Sequence, residues 1–446
     1  MTDQLEQLPP PSPFDPPLPS TRMDKIRSEI VAGGSAEEIG DNELAGGWRG
    51  ALAMTVIAGL FVWLGTINLW WLMFAVGLVI SIFLHEAGHF LTAKATGMKV
   101  TQFFMFMGPR LWSFRKGETE YGVRLVPLGA FVRIVGMHEM DTDVAPEDES
   151  RTYRQKSFPR RLLVISAGSL MHMIIAILLL FVSYLGQGER TDQVEPEVFI
   201  GVAFEGLPAQ QAGILAGDQI LSVEGITVTS NQELGDTVRS FSPGDVVDLA
   251  LIRDGAETTI PVGLGARTDV PEDNPNFGSA YLGVSSGSPV VYLEHGVFAA
   301  AGNAVVDIVP TAWESTKGVF KALNPLNVID HLRDDPEASL ETRPVTLVGV
   351  TGLSDDVGES EGVYGVLWLL AVLNVFVGVF NMFPLLPLDG GHAAVAVYER
   401  VREGLRGGKK RYFADVERLM PFAVAVVGFL FMFMFAGLYL DIARPL

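Results

Sequence analysis

Five long apolar runs dominate the chain, at residues 51–66, 69–93, 162–185, 363–386 and 420–441. The last four reach the ~20 residues that a bilayer core requires, and the first lies near the lower limit. Almost nothing separates the first two, so they predict a tight helical hairpin. Before them, residues 1–50 are polar and open on PPPSPFDPPLPS. An early basic patch followed by an apolar core, the layout of a cleaved signal peptide, is missing. This segment is expected to be a disordered tail. Between the third and fourth runs lies a long polar stretch, 186–362, with its own short alternating segments.

Composition sharpens this picture. The mean hydropathy is +0.31. The 446 residues are 48% hydrophobic and only 19% charged, a balance that points to membrane spans. A net charge of −20 argues against a nucleic-acid partner, which needs a basic footprint. With no cysteine there is no thiol nucleophile, no disulfide framework and no thiolate ligand, so any metal must be held by nitrogen and oxygen. Basic residues crowd into 94–161 and 399–418, while 186–362 is rich in Asp and Glu. The positive-inside rule then makes the first two segments cytoplasmic and the third external. Five spans satisfy this alternation, with the N-terminus in the cytoplasm.

One of the runs carries costly residues. SIFLHEAGHFLTAKATGM, residues 81–98, places His85, Glu86 and His89 inside a span. An intramembrane ionisable residue is a functional hypothesis by default. H-E-x-x-H on a helix puts the two imidazoles on one face, where they can share a zinc ion, with the glutamate in reach of a water at the metal. An interhelical hydrogen-bond cluster or a proton relay would also use these residue types. A catalytic zinc needs a third protein ligand and an open position. Residues 381–392, NMFPLLPLDGGH, offer one. Pro384 and Pro387 break the fourth span, and freed backbone at that depth is tolerated only inside protein or beside a water-filled cavity. Asp389 is expected to project from this non-helical chain toward the histidines. The bland alternative is a span that ends there with Asp389 in solvent.

HEAGH in one span and N-x-F-P-x-x-P-L-D-G in a later one together resemble the site-2 proteases, intramembrane zinc metalloproteases. ETEYGVRLVPLGAFVRIVGM at 118–137 is similar to the β-hairpin region of that family, and RPVTLVG at 343–349 to the stretch before its third core span. The order of segments resembles the bacterial, PDZ-containing and especially actinobacterial group. The resemblance implies His85, His89 and Asp389 as Zn2+ ligands and Glu86 as general base. It implies Asn381 as a residue that orients the substrate backbone or stabilises the oxyanion, and Asn374, seven residues earlier, shares its helical face. A helix-packing hydrogen bond is an equal reading of Asn374. The family's second core span usually carries glycine-proline and an asparagine four residues after the glycine. AGSLMHM at 167–173 keeps Gly168, has Ser169 for the proline and His172 for the asparagine. His172 is read as a hydrogen-bonding substitute in the substrate-binding region, with metal ligation as the rival.

FIGVAFEGLPAQQAGILAGDQILSVEGITV resembles a circularly permuted bacterial PDZ domain, with one AG-x-x-x-GD signature and no second copy. Asp245–Arg253 and Thr258–Leu264 alternate as strands, and 231–240 has helical character. Such a groove takes an extended peptide by strand addition. Its carboxylate site is expected near Ile200 and Gly201. Shielding of the site from bulky substrates is the competing role. The apolar stretch 296–323 reads as an amphipathic helix on the outer membrane surface or a segment packed on the PDZ domain. Among the other histidines, His138 in MHEMDTD is expected in a solvated turn, His295 and His331 lack partners at ligand spacing, and His392 is a packing residue or a supporter of Asp389.

The expected fold is therefore a polytopic α-helical membrane protein of about five transmembrane helices with a membrane-dipping β-hairpin region and one external PDZ (α+β) domain. The layout is tail 1–50, extra helix 51–66, first core helix 67–93, hairpin region 97–137, second core helix 162–185 and PDZ domain 195–268. It continues with an external segment 270–362, a third core segment 363–392 and a C-terminal helix 420–441. The implied location is the bacterial plasma membrane. Implied partners are single-span membrane proteins such as anti-sigma factors, a PDZ peptide ligand and membrane lipid. A transporter or channel that uses the His/Glu cluster stays open, as does an inactive PDZ scaffold. Neither G-x-S-G nor G-x-G-D is present, which disfavours serine and aspartyl intramembrane chemistry.

Overall fold

The computed structural model describes residues 48–137, 144–268, 270, 274, 276–333, 342–407, 411–414 and 416–443. Residues 1–47 of the expected tail and His138 lie outside them. The chain divides into two compact units: one holds the residues up to Ser183 and from Ala301 on, the other Tyr184–Ala300.

In the first unit, α1 (Trp48–Ile67) and α2 (Leu69–Ala95) are joined by Asn68 alone. Its side chain accepts the Trp70 and Trp71 N–H groups at 2.8 and 3.0 Å, capping α2. A long hairpin follows, β1 (Val100–Lys116) and β2 (Thr119–Ile134). It coils on itself, so that Met105 pairs with Ala130 on one side and Val123 on the other. Phe103 and Tyr121 pack their rings against Phe90 of α2 at 5.1 and 5.8 Å, and Phe83 meets Phe103 at 5.4 Å. The hairpin thus lies along the helix that carries the H-E-x-x-H motif. At its tip Glu118 is bonded by Arg151 and Lys94, the nearer charges holding its carboxyl down to about 2.

Next comes α3 (Phe158–Gly186). The elements of the second unit are β3 (Glu189–Val194), β4 (Val198–Ala203), α4 (Pro208–Gln211), β5 (Gln219–Val223), β6 (Ile226–Thr227), α5 (Asn231–Arg239), β7 (Val246–Arg253) and β8 (Ala256–Gly263). They end with β9 (Gly265–Ala266), β10 (Ala280–Tyr281), β11 (Val284–Gly287) and β12 (Val290–Leu293). An antiparallel sheet runs β11-β4-β5-β7-β8, with β6 beside β5, and β3–β12 and β9–β10 form small pairs. Ile200, Ile220, Leu249 and Leu251 from the sheet and Leu234 and Val238 from α5 make the core. Asp218 is buried and takes two bonds from Arg253, at 2.7 and 2.6 Å, and one from the Leu215 N–H. Burial alone would raise its carboxyl, but these donors hold it below the usual carboxylate range.

This unit extends past the expected boundary at 268, because β11 completes the sheet beside β4. VSSG is too short and polar to read as a strand. The assignment of Ile200 and Gly201 to a carboxylate site is corrected by the same sheet. Both sit in β4, an inner strand between β11 and β5. The Ile200 N–H is bonded to the Asp218 carbonyl at 2.9 Å and its side chain is buried, so that amide faces a neighbouring strand.

The chain returns to the first unit within α6 (Val297–Val306), which leads to α7 (Ile308–Ala322), α8 (Pro325–Arg333), α9 (Leu347–Asn381), α10 (Asp389–Leu405) and α11 (Met420–Ala443). Helix α7 packs along α9, and Phe320 near its end meets Phe383 just past the end of α9, rings 5.5 Å apart. Helix α9 starts well before the expected 363. Its first half carries Ser354, Asp355, Asp356, Glu359 and Glu361, too polar to read as a span, and Gly362 at φ 69° breaks it where the apolar run begins. Thr346 caps it. Asp441 of α11 accepts from the Thr346 N–H and hydroxyl at 2.7 and 2.6 Å and from the Gly349 N–H at 3.1 Å. RPVTLVG is thus a joint between two helices, tied through the buried Asp441.

Among the described residues five helices, α1, α2, α3, α9 and α11, are long and apolar enough to cross a membrane. Helix α1 exposes Val56, Leu60, Val62 and Trp63, as an apolar helix does when its surroundings are lipid.

Candidate metal centre

Three helices and one loop build the site. His85 and His89 lie one turn apart on α2, both buried. Helix α3 crosses against them closely: a Cβ on Gly88 would sit 2.7 Å from the Ala167 carbonyl oxygen, so only glycine permits this approach. The Val164 carbonyl of α3 is 2.7 Å from His89 Nδ1. A carbonyl only accepts, so Nδ1 carries the hydrogen and Nε2 is left bare.

Asp389 comes from the other half of the chain. Helix α9 stops at Asn381, and the prolines at 384 and 387 hold the following residues out of helix. The expectation that Asp389 stands in non-helical chain is corrected: it is the first residue of α10, just after the loop. The loop folds tightly over that first turn. A Cβ on Gly390 would fall 2.2 Å from the Met382 carbonyl oxygen, which is the physical reason glycine follows the aspartate.

The three residues meet. His85 Nε2 and His89 Nε2 are 3.2 Å apart, and Asp389 Oδ2 is 3.4 and 3.3 Å from them. Two zinc bonds of ~2.0–2.1 Å at a tetrahedral angle span ~3.3–3.4 Å, so the three edges fit one ion. Asp389 Oδ2 is buried and makes no hydrogen bond, and beside it His85 Nε2 faces the bare Nε2 of His89. A cation satisfies all three at once. The donor set of two nitrogens and one carboxylate oxygen suits zinc and leaves a fourth position. Glu86 Oε1 is 4.0 Å from His85 Nε2, and its side chain keeps some exposure.

His172 and Asn374 belong to a second layer. His172 Nδ1 is 2.8 Å from Asn374 Oδ1, and the Asn374 amide donates to Ser81 Oγ at 3.1 Å and the Leu370 carbonyl at 2.7 Å. All are within one buried network that ties α2, α3 and α9 together, and the His172 ring lies 4.9 Å from that of His85. Asn374 thus has the packing bond that was the alternative reading. His172→Ala should leave Asn374 Oδ1 short of a donor, at a cost of about 1–3 kcal/mol in stability, with zinc content unchanged. Thermal unfolding in detergent and metal analysis check this, and zinc loss would make His172 a ligand. Asn381 ends α9, half-buried. His295 bonds Glu189 at 2.6 Å and His331 bonds Thr342 at 3.1 Å, both apart from the three ligand candidates. His392 lines a cavity of about 360 Å3 with Tyr153, Arg161 and Glu399.

Comparison with known proteins places the chain in a family. The profile of "Peptidase family M50" matches residues 73–436. "Zinc metalloprotease Rip1" of Mycobacterium tuberculosis is 32% identical over 412 residues, covering 84% of this chain and 97% of that protein. Its namesake in Mycolicibacterium smegmatis is 30% identical with the same coverage. "Probable membrane metalloprotease ARASP2, chloroplastic" of Arabidopsis thaliana is 27% identical, covering 79% of this chain and 76% of that protein. Among solved structures, the PDZ domain of an SdrC-like protein from Listeria monocytogenes is 21% identical and covers 22% of this chain and 93% of its own at a TM-score of 0.18. The chain belongs to peptidase family M50 and is a membrane zinc metalloprotease of the site-2 type.

Proposed function

We propose that this protein is an endopeptidase that cuts single-span membrane proteins within or near their transmembrane helix, with anti-sigma factors trimmed by an earlier external cut as the substrate class. The observation that carries the reading is the His85, His89 and Asp389 cluster, with edges of 3.2–3.4 Å, set among apolar helices. These three residues would hold zinc, which when bound supplies a Lewis acid and lowers the pKa of a water to about 7. Glu86 takes the proton of the attacking water and passes it to the leaving amine. Asn381, at the end of α9 and half-buried, orients the substrate backbone or donates to the developing oxyanion. His172 and Asn374 hold α2 and α3 in register with α9. The hairpin β1–β2 dips into the membrane beside α2 and offers strand backbone to an unwound substrate.

The N-terminus lies in the cytoplasm and the 184–300 unit outside, in keeping with the clusters of Lys and Arg at 94–161 and 399–418. That unit is a PDZ domain. Its peptide groove lies between α5 and the free edge of β11, where Leu234, Val238, Tyr281 and Val284 line a cavity of about 190 Å3. A peptide adds there as a further strand, either to recruit substrate or to keep bulky ectodomains out.

The test is reconstitution of the purified chain in vesicles with a single-span substrate. Cleavage inside the span, stopped by a zinc chelator and restored by zinc, is the expected result. An intact substrate together with proton or metal flux across the vesicles would replace the protease reading with that of a transporter.

A further inference from the structure

Where α3 begins, a cavity of about 290 Å3 is lined by Arg154, Lys156, Arg161, Arg400 and Arg411, with Glu403 as the carboxylate in its wall. Three of the cations are matched by carboxylates. Arg154 grips Glu149 at 3.0 and 2.6 Å, Arg161 bonds Glu399 at 2.5 Å and Arg400 bonds Glu403 at 3.2 Å. The other two are held by neutral oxygens among the described residues. Lys156 donates to the Ser150 carbonyl at 3.2 Å, and Arg411 to the Arg154 carbonyl at 3.1 Å and the Gln155 side-chain oxygen at 3.4 Å. Among the described residues, the five cations of the lining have three carboxylate partners, which leaves Lys156 and Arg411 without one. Burial, and after it the neighbouring Arg160 and Arg151, hold the Lys156 ammonium below its ordinary range. Ser157, Phe158 and Pro159 line the same cavity.

The depth of the cavity names the anion. Its lining residues on α3 stop at Arg161, and the apolar run of that span starts at Leu162. A phosphate at the lipid–water boundary therefore meets it directly. From this geometry we infer a binding site for the phosphate of an anionic phospholipid, clamped between the start of α3 and the C-terminal half of α10. The site is separate from the metal centre but joins its supports: α3 carries the Val164 carbonyl and α10 begins with Asp389. A headgroup held by Lys156 and Arg411 on one side and Arg400 on the other fixes these two helices against each other.

The experiment uses the full chain in neutral detergent, titrated with phosphatidylglycerol, phosphatidylcholine or inorganic phosphate and followed by native mass spectrometry. Phosphatidylglycerol should bind selectively. Lys156→Gln and Arg411→Gln should each weaken it about fivefold, the effect of one surface cation, and Lys156→Arg should keep it. Arg411 is exposed, so its variant folds even where a change at Lys156 perturbs the segment. Equal binding of phosphatidylcholine, or undiminished phosphatidylglycerol binding in Arg411→Gln, would overturn the site. Inorganic phosphate that binds as well as the lipid and competes with it would overturn the assignment to lipid in favour of a soluble anion.

Discussion

Glu86→Gln should retain one zinc per chain and lose cleavage of a transmembrane substrate by about 10²–10⁴-fold. The substitution keeps the size and hydrogen-bonding reach of the side chain and removes only its ability to take a proton. Glu86 is not one of the three clustered ligand candidates, and its carboxylate lies 4.0 Å from His85 Nε2. Metal content should therefore be untouched. Glu86→Asp should fall between the two, since the carboxylate remains but is drawn back by one methylene. Single-turnover cleavage beside metal analysis of the same preparations separates the possibilities. A Glu86→Gln protein that cut at near wild-type rate would remove Glu86 from the chemistry. One that lost its zinc would make Glu86 part of the donor set.

The sequence carried the centre of the site because its chemistry is local. The i, i+4 spacing of His85 and His89 is a fixed property of a helix, and Pro384 and Pro387 mark a break wherever they fall. What lay beyond reach depends on partners far along the chain. Nothing in VSSG at 284–287 says that it pairs with β4, some eighty residues earlier, so the groove was assigned to Ile200 and Gly201 although their strand is enclosed on both edges. The first half of α9 failed to read as part of a span because its carboxylates and serines precede the apolar run, which begins only at the Gly362 break. Asp441 gave no signal at all: one carboxylate at the end of an apolar run looks like a boundary residue until Thr346 and Gly349 are seen to bond it. Gly168 was visible as a retained position in AGSLMHM, but the reason for a glycine there is a distance, and only the crossing of α3 over α2 supplies it.

That distance sets the second large effect. A Cβ at position 168 would lie 2.5 Å from His89 Nε2, 2.6 Å from His85 Nε2 and 2.3 Å from His85 Cε1. Zinc bonds to imidazole run ~2.0–2.1 Å, so the methyl of alanine would crowd the very space between the two nitrogens that an ion must occupy. Relief by a shift of α3 is costly, because the same helix presents the Val164 carbonyl that orients His89, 2.7 Å from its Nδ1. Moving α3 away removes that acceptor, and swinging His85 aside opens the 3.2 Å nitrogen pair. Gly168→Ala should therefore lose its zinc and with it essentially all cleavage, although no donor atom has been removed. Gly428→Ala in α11 is the matched control, since nothing lies within 4 Å of its Cβ, and it should keep both. Metal analysis of the two purified proteins, with thermal unfolding to show that each is folded, decides the matter. A folded Gly168→Ala protein with a full complement of zinc would mean that the ion sits elsewhere than between His85 and His89, and the three-ligand centre would have to be redrawn.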